Sequence, residues 1–181
     1  LTGGTCVPYG LRQWGNLFTQ RQLVSLNTFA DLLQEVIEKC KNDAVAAGLP
    51  DDGVALDAGG GGATAYGQAV SVYLAFAISR SADRGSTLCS WDNSPKMEAL
   101  RNTFARQALP MTWDFAELNT LLGGTGSFTG AAEWTAESIE GVAVADAFGL
   151  PVATQADAQS QTISKGRVLS TDPPYYNNIG Y

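Results

Sequence analysis

One stretch constrains this chain more than any other: LFTQRQLVSLNTFADLLQEVIEKCKND, in which apolar residues recur at positions 23, 26, 29, 33, 36, 37 and 40. Steps of three and four put those side chains on one face of a helix. Thr19 and Gln22 form a capping-box pattern, and Phe18 and Leu23 stand at the two ends of a hydrophobic staple. Gly48 supplies the stop. The spacing predicts a helix over 20–46. A turn-rich connector, LPDDGVALDAGGGGATAYG, leads to a second predicted helix over 64–83. Its face is Tyr66, Ala69, Val70, Tyr73, Leu74, Ala77 and Ile78, and Val72 and Phe76 make it apolar on a further side, so it reads as the central element.

Three weaker signals follow. SPKMEALRNTFARQALP has Ser94 as N-cap, Pro95 at the first helical position, a stripe of Met97, Leu100, Phe104 and Ala108, and Pro110 as terminator. It predicts a third helix. MTWDFAELN predicts a short helical turn, and AAEWTAESIEGVAVADAF a helix ending at Gly149. Beyond Gly149 the runs LPVATQADA and GRVLSTDPPYY are short and end in Asp-containing or Pro-Pro turns, as strands feeding loops do. The expected architecture is mainly α. A helical segment of four to five helices, residues 1–149, precedes the first strands of an incomplete α/β unit, residues 150–181.

With 181 residues, 45% of them hydrophobic, the chain can bury one sizeable core. No apolar run reaches the roughly 18 residues of a membrane span, and no basic-then-apolar leader precedes the first helix. A first residue of Leu1 fits an internal piece of a cytoplasmic protein. Histidine is absent, so nucleophile activation by His is excluded and any catalysis must run through carboxylates, tyrosines, backbone groups or a cofactor. Cys6, Cys40 and Cys89 stand far apart with no His to complete a tetrahedral set, so no zinc site is expected, and the three read as buried structural thiols. The net charge is −7, and seven acids but no Lys or Arg lie between Gln107 and Ser164, so the chain carries no basic footprint. Lys96, Arg101 and Arg106 read as solvated surface. Trp14, Trp91, Trp113 and Trp134 read as core or lid packing.

Two stretches carry possible chemistry. VALDAGGGGATAYG satisfies D-x-G-x-G ahead of a helix, a form in which glycines let backbone approach a nucleotide at a helix N-terminus. The strand before it would be only GVAL, and no second strand with an acidic end follows at the required distance, so the glycines read as a connector. STDPPYY is more specific. By ordinary residue usage a chance D-P-P-Y in a chain this long has odds on the order of one in a thousand, and the β-rich RVLST leads directly into it.

Asp172, Pro173, Pro174 and Tyr175 resemble the [DNS]-P-P-[YFW] loop of the S-adenosylmethionine-dependent amino-methyltransferases, which methylate adenine N6, cytosine N4 or a glutamine amide. The Asp form is most associated with adenine. The resemblance implies that the Asp172 carboxylate and the Pro173 carbonyl accept the N–H groups of an exocyclic amine, that the two prolines stiffen the loop, and that Tyr175 stacks on a flipped base. It also implies that Asp157, in TQADA fifteen residues earlier, hydrogen-bonds the adenine amino group of the cofactor. A plain Asx turn is the alternative for Asp157.

More widely, GNLFTQRQLVSLNTFADLL, ATAYGQAVSVYLAFAISRSADRGSTLCSWDNSPKMEALRNTFARQALPMTWDFAELN and STDPPYYNNIGY, in that order, look like the middle of the large bacterial adenine-specific DNA methylases containing a zinc ribbon. That likeness implies a Rossmann-like catalytic domain, S-adenosylmethionine as methyl donor and DNA as partner. The glycine-rich cofactor motif and zinc ribbon of such a protein would lie upstream of Leu1, leaving this piece inactive alone. Asn177 stands where relatives commonly carry an acid. Two other readings stay open: methylation of RNA or of a protein glutamine, and a non-catalytic helical interaction or specificity module.

Overall fold

The computed structural model describes residues 6–105, 108–109, 111–124, 126–141 and 153–172. It is mainly helical. The chain divides into two compact units, Leu1–Val142 and Ala143–Tyr181. The boundary expected at 149 lies outside the described residues.

The first unit is built on α1, Gln20–Ala46, and α2, Ala63–Arg84. Helix α1 starts where its capping box directs: the Gln22 amide donates to the Thr19 hydroxyl at 3.3 Å, and the Thr19 amide donates to the Gln22 side-chain carbonyl at 2.8 Å. It ends at Gly48, whose φ of 97° is a left-handed turn that only glycine adopts freely. All seven residues of its predicted stripe are half-buried. Helix α2 is central, lying against both α1 and α3. Its buried face nevertheless differs from the predicted one. Small residues, Ala63, Ala65, Gly67, Ser71, Ala77 and Ser81, are the buried positions, and Tyr66, Tyr73 and Phe76 stay exposed. Gly67 explains the rotation: a Cβ there would meet the Ile37 carbonyl oxygen at 2.6 Å, so α1 and α2 cross where backbones touch and large side chains are pushed aside.

Residues 94–109 correct the third predicted helix. Ser94 and Pro95 do open a helical turn, with the Met97 and Glu98 amides donating to the Ser94 carbonyl. The turn stops at Glu98, which takes a φ of 36°, and closes a two-stranded antiparallel hairpin. Strand β1 is Trp91–Asp92 and strand β2 is Ala99–Leu100, paired Trp91 to Leu100 and Asp92 to Ala99. Tertiary partners override the local propensity here. The Arg101 amide donates to the Ser90 carbonyl, and the Thr103 amide to the Asp83 carbonyl at 2.7 Å. The Asp83 carboxylate accepts from Asn102 and from the Phe104 amide, both at 2.9 Å. A continuous helix could not deliver those donors to the end of α2. The expected stripe is consequently broken, with Met97 and Phe104 exposed.

The segment 111–121 has no helical turn. It runs over the end of α2, the Ala116 amide donating to the Cys89 carbonyl, and along the start of α1, where Glu117 pairs with Arg21 and Thr120 with Ser25. Helix α3, Phe128–Glu140, begins three residues before the predicted run. The Ser127 hydroxyl caps it by accepting from the Gly130 amide, and Phe128 stacks on Phe29 at 4.4 Å between ring centroids. Among the described residues there are three α-helices rather than four to five. The core is small: Leu17, Leu88 and Cys89 are buried where the 3₁₀ turn Trp14–Leu17 meets the exit of α2, with the Leu17 carbonyl accepting from the Thr87 amide and hydroxyl. All four tryptophans are more than half exposed, so their packing role is corrected as well. Cys6 and Cys89 are buried and Cys40 is half-buried, and none of the three is in a disulfide.

In the second unit, residues 153–172 form turns and irregular backbone, and neither predicted strand is present among them. A strand is defined by its ladder, and the described residues of this unit offer no neighbouring strand to complete one. No described helix is long and apolar enough to cross a membrane.

Candidate active site

The catalytic loop expected at Asp172, Pro173, Pro174 and Tyr175 is described only at its first residue. Asp172 is exposed, with its side chain open to solvent. Pro173, Pro174 and Tyr175 lie outside the described residues. Asp157 is exposed too, and its local structure is an Asx turn. Its Oδ1 accepts from the Gln159 amide at 2.8 Å, while its carbonyl accepts from the Ser160 and Gln161 amides at 3.2 and 2.9 Å. The turn holds the residue in a fixed local frame and engages one carboxylate oxygen. An exposed carboxylate with one oxygen so engaged fits the role of acceptor to an amino group.

Between the two aspartates the chain folds around a shallow, open depression. Ala156, Ala158, Gln161, Ile163, Arg167 and Leu169 are among the residues that line it. Asp157 and Asp172 are not among its lining residues, so this depression does not bring the two carboxylates together.

The glycine loop of the first unit can be judged more fully. Several of its amides already have acceptors from the same chain. The Asp52 carboxylate accepts from the Val54 amide at 3.0 Å and the Gly61 amide at 3.2 Å. These bonds hold the Asp52 carboxyl below the usual carboxylate range. Asp51 accepts from the Gly53 and Thr64 amides at 3.1 and 3.0 Å and forms an ion pair with Lys41 at 3.1 Å. Thr64, then Lys41 and Gly53, push its carboxyl well below the usual range. Thr64 belongs to the first turn of α2, and the Ala63 amide donates to the Pro50 carbonyl at 3.0 Å. The N-terminus of α2 is thus capped from residues 50–52, and the anion that such a helix end attracts is already there.

The glycines serve this closure. A Cβ on Gly60 would sit 2.1 Å from the Val54 carbonyl oxygen, and one on Gly62 would lie 2.6 Å from the Asp52 nitrogen. Backbone approaches backbone at these two positions, as a nucleotide cradle also requires, but the approaching group is the chain itself. The glycines thus serve the close approach of the loop to the chain's own backbone.

One feature escaped the sequence reading because it depends on the hairpin. A cavity of about 300 Å³ next to the residues that follow β2 is lined by Leu88, Ser90, Arg101, Asn102, Thr103 and Thr112, among others. That volume is at the lower edge for a ligand pocket. Its wall backs onto a buried hydroxyl cluster, with Ser86 and Thr103 oxygens 2.7 Å apart, the Thr103 hydroxyl donating to the Asp83 carbonyl at 2.6 Å, and the Cys89 sulfur 3.4 Å from Thr103. The cluster is satisfied internally and ties the hairpin to α2. Arg101 at the cavity is committed to Asp92 at 3.0 Å. Among the described residues no group of three or more Cys, Asp or Glu side chains is placed to hold a metal ion.

No protein-family model matches the chain, and no curated protein or solved structure matches it.

Proposed function

We propose that this chain is part of an S-adenosylmethionine-dependent methyltransferase acting on the exocyclic N6 amine of adenine in DNA. In this reading residues 150–181 open its Rossmann-like domain. The observation that carries the proposal is the string Asp172-Pro173-Pro174-Tyr175 directly after the β-rich RVLST, with Asp157 fifteen residues before it. Solvent access at Asp172 and Asp157 supports it, because both must meet groups from outside this chain.

The chemistry follows from the residues. An exocyclic amine is a poor nucleophile because its lone pair is delocalised into the ring. Asp172 accepts one of its N–H bonds and the Pro173 carbonyl the other, drawing the nitrogen toward a tetrahedral form and stabilising the positive charge that develops on it. Pro173 and Pro174 fix φ on both sides of the second acceptor, so little reorganisation remains when the amine arrives. Tyr175 stacks on the extruded base. Asp157 holds the adenine amino group of the methyl donor. The donor supplies an electrophilic methyl on a sulfonium, which is why a chain without His suffices for these roles.

Labelled methyl transfer tests the proposal, using the protein that contains this chain with its flanking sequence and DNA, RNA and protein as acceptors. Label is expected on adenine in DNA, and Asp172→Ala is expected to lower it about 100-fold with the helical content unchanged. Label on RNA or on a glutamine side chain would move the reading to those acceptors. Full activity in Asp172→Ala would sink the catalytic role of the loop.

A further inference from the structure

Helix α2 exposes a ridge of large side chains that nothing in the first unit covers. Tyr66, Tyr73 and Phe76 are 52%, 44% and 59% exposed, although each belongs to a 22-residue helix in the middle of the unit. Steps of seven and three keep them within about a quarter of the helix circumference. Arg80 continues the same line one turn on, and its guanidinium lies 3.7 Å from the ring centroid of Trp134 on α3, itself 52% exposed. The ridge therefore runs about 21 Å along α2, four helical turns, and steps onto α3. Tyr73 and Phe76 meet edge to face at 6.3 Å. Exposed aromatic side chains lined up over this length on two packed helices are the kind of surface that a partner covers.

The charges beside it choose among partners. On α3, Glu133, Glu137 and Glu140 are exposed at spacings of four and three, next to Trp134. None has an ion-pair partner among the described residues. The helix carries no Lys or Arg, and Arg80 is engaged on the Trp134 ring. A nucleic acid would bring phosphates against three carboxylates, despite the stacking surface. A second copy of this chain would set the same acids against each other. We infer that the ridge docks a basic amphipathic helix of a protein partner, whose apolar face covers Tyr73, Phe76 and Trp134 and whose lysines or arginines meet Glu133, Glu137 and Glu140. This inference is independent of the methyltransferase reading.

The probe is a labelled synthetic peptide of about 18 residues, five turns, with leucines on one face and lysines on the other. Titrated with the full chain, it is expected to bind saturably, roughly tenfold tighter than the same peptide with glutamate in place of lysine, and more weakly as salt rises. The triple change Glu133→Gln, Glu137→Gln, Glu140→Gln removes charge from a solvent-facing row and should erase the preference for lysine. Phe76→Ser, at an exposed position, should weaken binding about tenfold with the circular dichroism unchanged. Four results would overturn the inference: no saturable binding, equal affinity for a scrambled peptide, displacement of the peptide by a single-stranded oligonucleotide, or self-association of the chain that Phe76→Ser abolishes.

Discussion

The chain holds two loops in which aspartates stand among turn residues, and they are opposites. At residues 50–62 the carboxylates of Asp51 and Asp52 are engaged by backbone amides of their own loop and of α2. The aspartates of both regions are exposed, but at residues 157–172 the Asp157 carboxylate engages only one amide, two residues away. The first looks more like a ligand cradle in the sequence, having four consecutive glycines before a helix. It is the one that is closed. The difference teaches that glycine lets backbone approach something without saying what approaches, and that a neighbouring acid can occupy the place a phosphate would take.

The largest effect that tests this contrast is expected at Gly60. Gly60→Val forces a side chain onto the Val54 carbonyl oxygen and should cost roughly 3 kcal/mol of stability in urea unfolding. Gly61→Ala, where the space is open and φ is ordinary, should change it by less than about 0.5 kcal/mol. A loop kept for a ligand would tolerate both in the free protein, so equal small effects would break the distinction. Next in size is Asp172→Ala in the proposed catalytic loop. It should lower methyl transfer by the flank-containing protein about 100-fold, equivalent to about 2.7 kcal/mol, and leave the unfolding midpoint unmoved.

A smaller effect separates two helix starts that read alike in the sequence. Thr19-x-x-Gln22 and Ser94-Pro95 both announce a helix, yet one propagates for 27 residues and the other stops after one turn. Past Ser94 the donors of Arg101, Thr103 and Phe104 go to Ser90 and Asp83 instead of to the carbonyls four residues back. Asp83→Ala removes the acceptor for Asn102 and the Phe104 amide and should cost about 1–2 kcal/mol. Thr19→Ala should cost about 1 kcal/mol, recovered in Thr19→Ser, because it loses a cap and no tertiary partner.

These same residues show what the sequence made legible. Helix α1 was readable to its ends because caps, stripe and stop are all written within 30 residues, and α2 was readable within a residue for similar reasons. Its buried face was not, because Gly67 sets the crossing by what it lacks, and a hydrophobic pattern counts only what is present. The hairpin was hidden because its decisive acceptor, Asp83, lies some twenty residues before its donors. The exposed tryptophans were misread for a related reason, since hydrophobicity alone does not say whether the unit has enough neighbouring surface to cover a ring. Of the candidate site, the Asx turn at Asp157 was legible as a local alternative. The expected strands beside it need ladder partners that no local pattern supplies.

The smallest effect is a matter of pH, and one substitution isolates the closed loop's share of it. Asp51 and Asp52 have carboxyls held below their ordinary range, by Thr64 with Lys41 and by the Val54 and Gly61 amides respectively. Asp92, under the Ser94 amide and then Arg101, and Glu117, beside Arg21, shift the same way. A folded-state value below the unfolded one of about 4 means that the unfolded chain binds protons first as acid is added. The stability these groups contribute is complete above about pH 5 and is lost progressively as the pH falls through about 4 and below. Thermal unfolding between pH 7 and pH 3 should therefore show a plateau followed by a decline. Asp52→Asn keeps the shape of the side chain but cannot titrate, so it should lower the plateau slightly and make the decline shallower. If Asp52→Asn leaves the acid slope as it was, the Gly61 and Val54 amides are not held by a carboxylate in solution, and the glycine loop must be regarded as open after all.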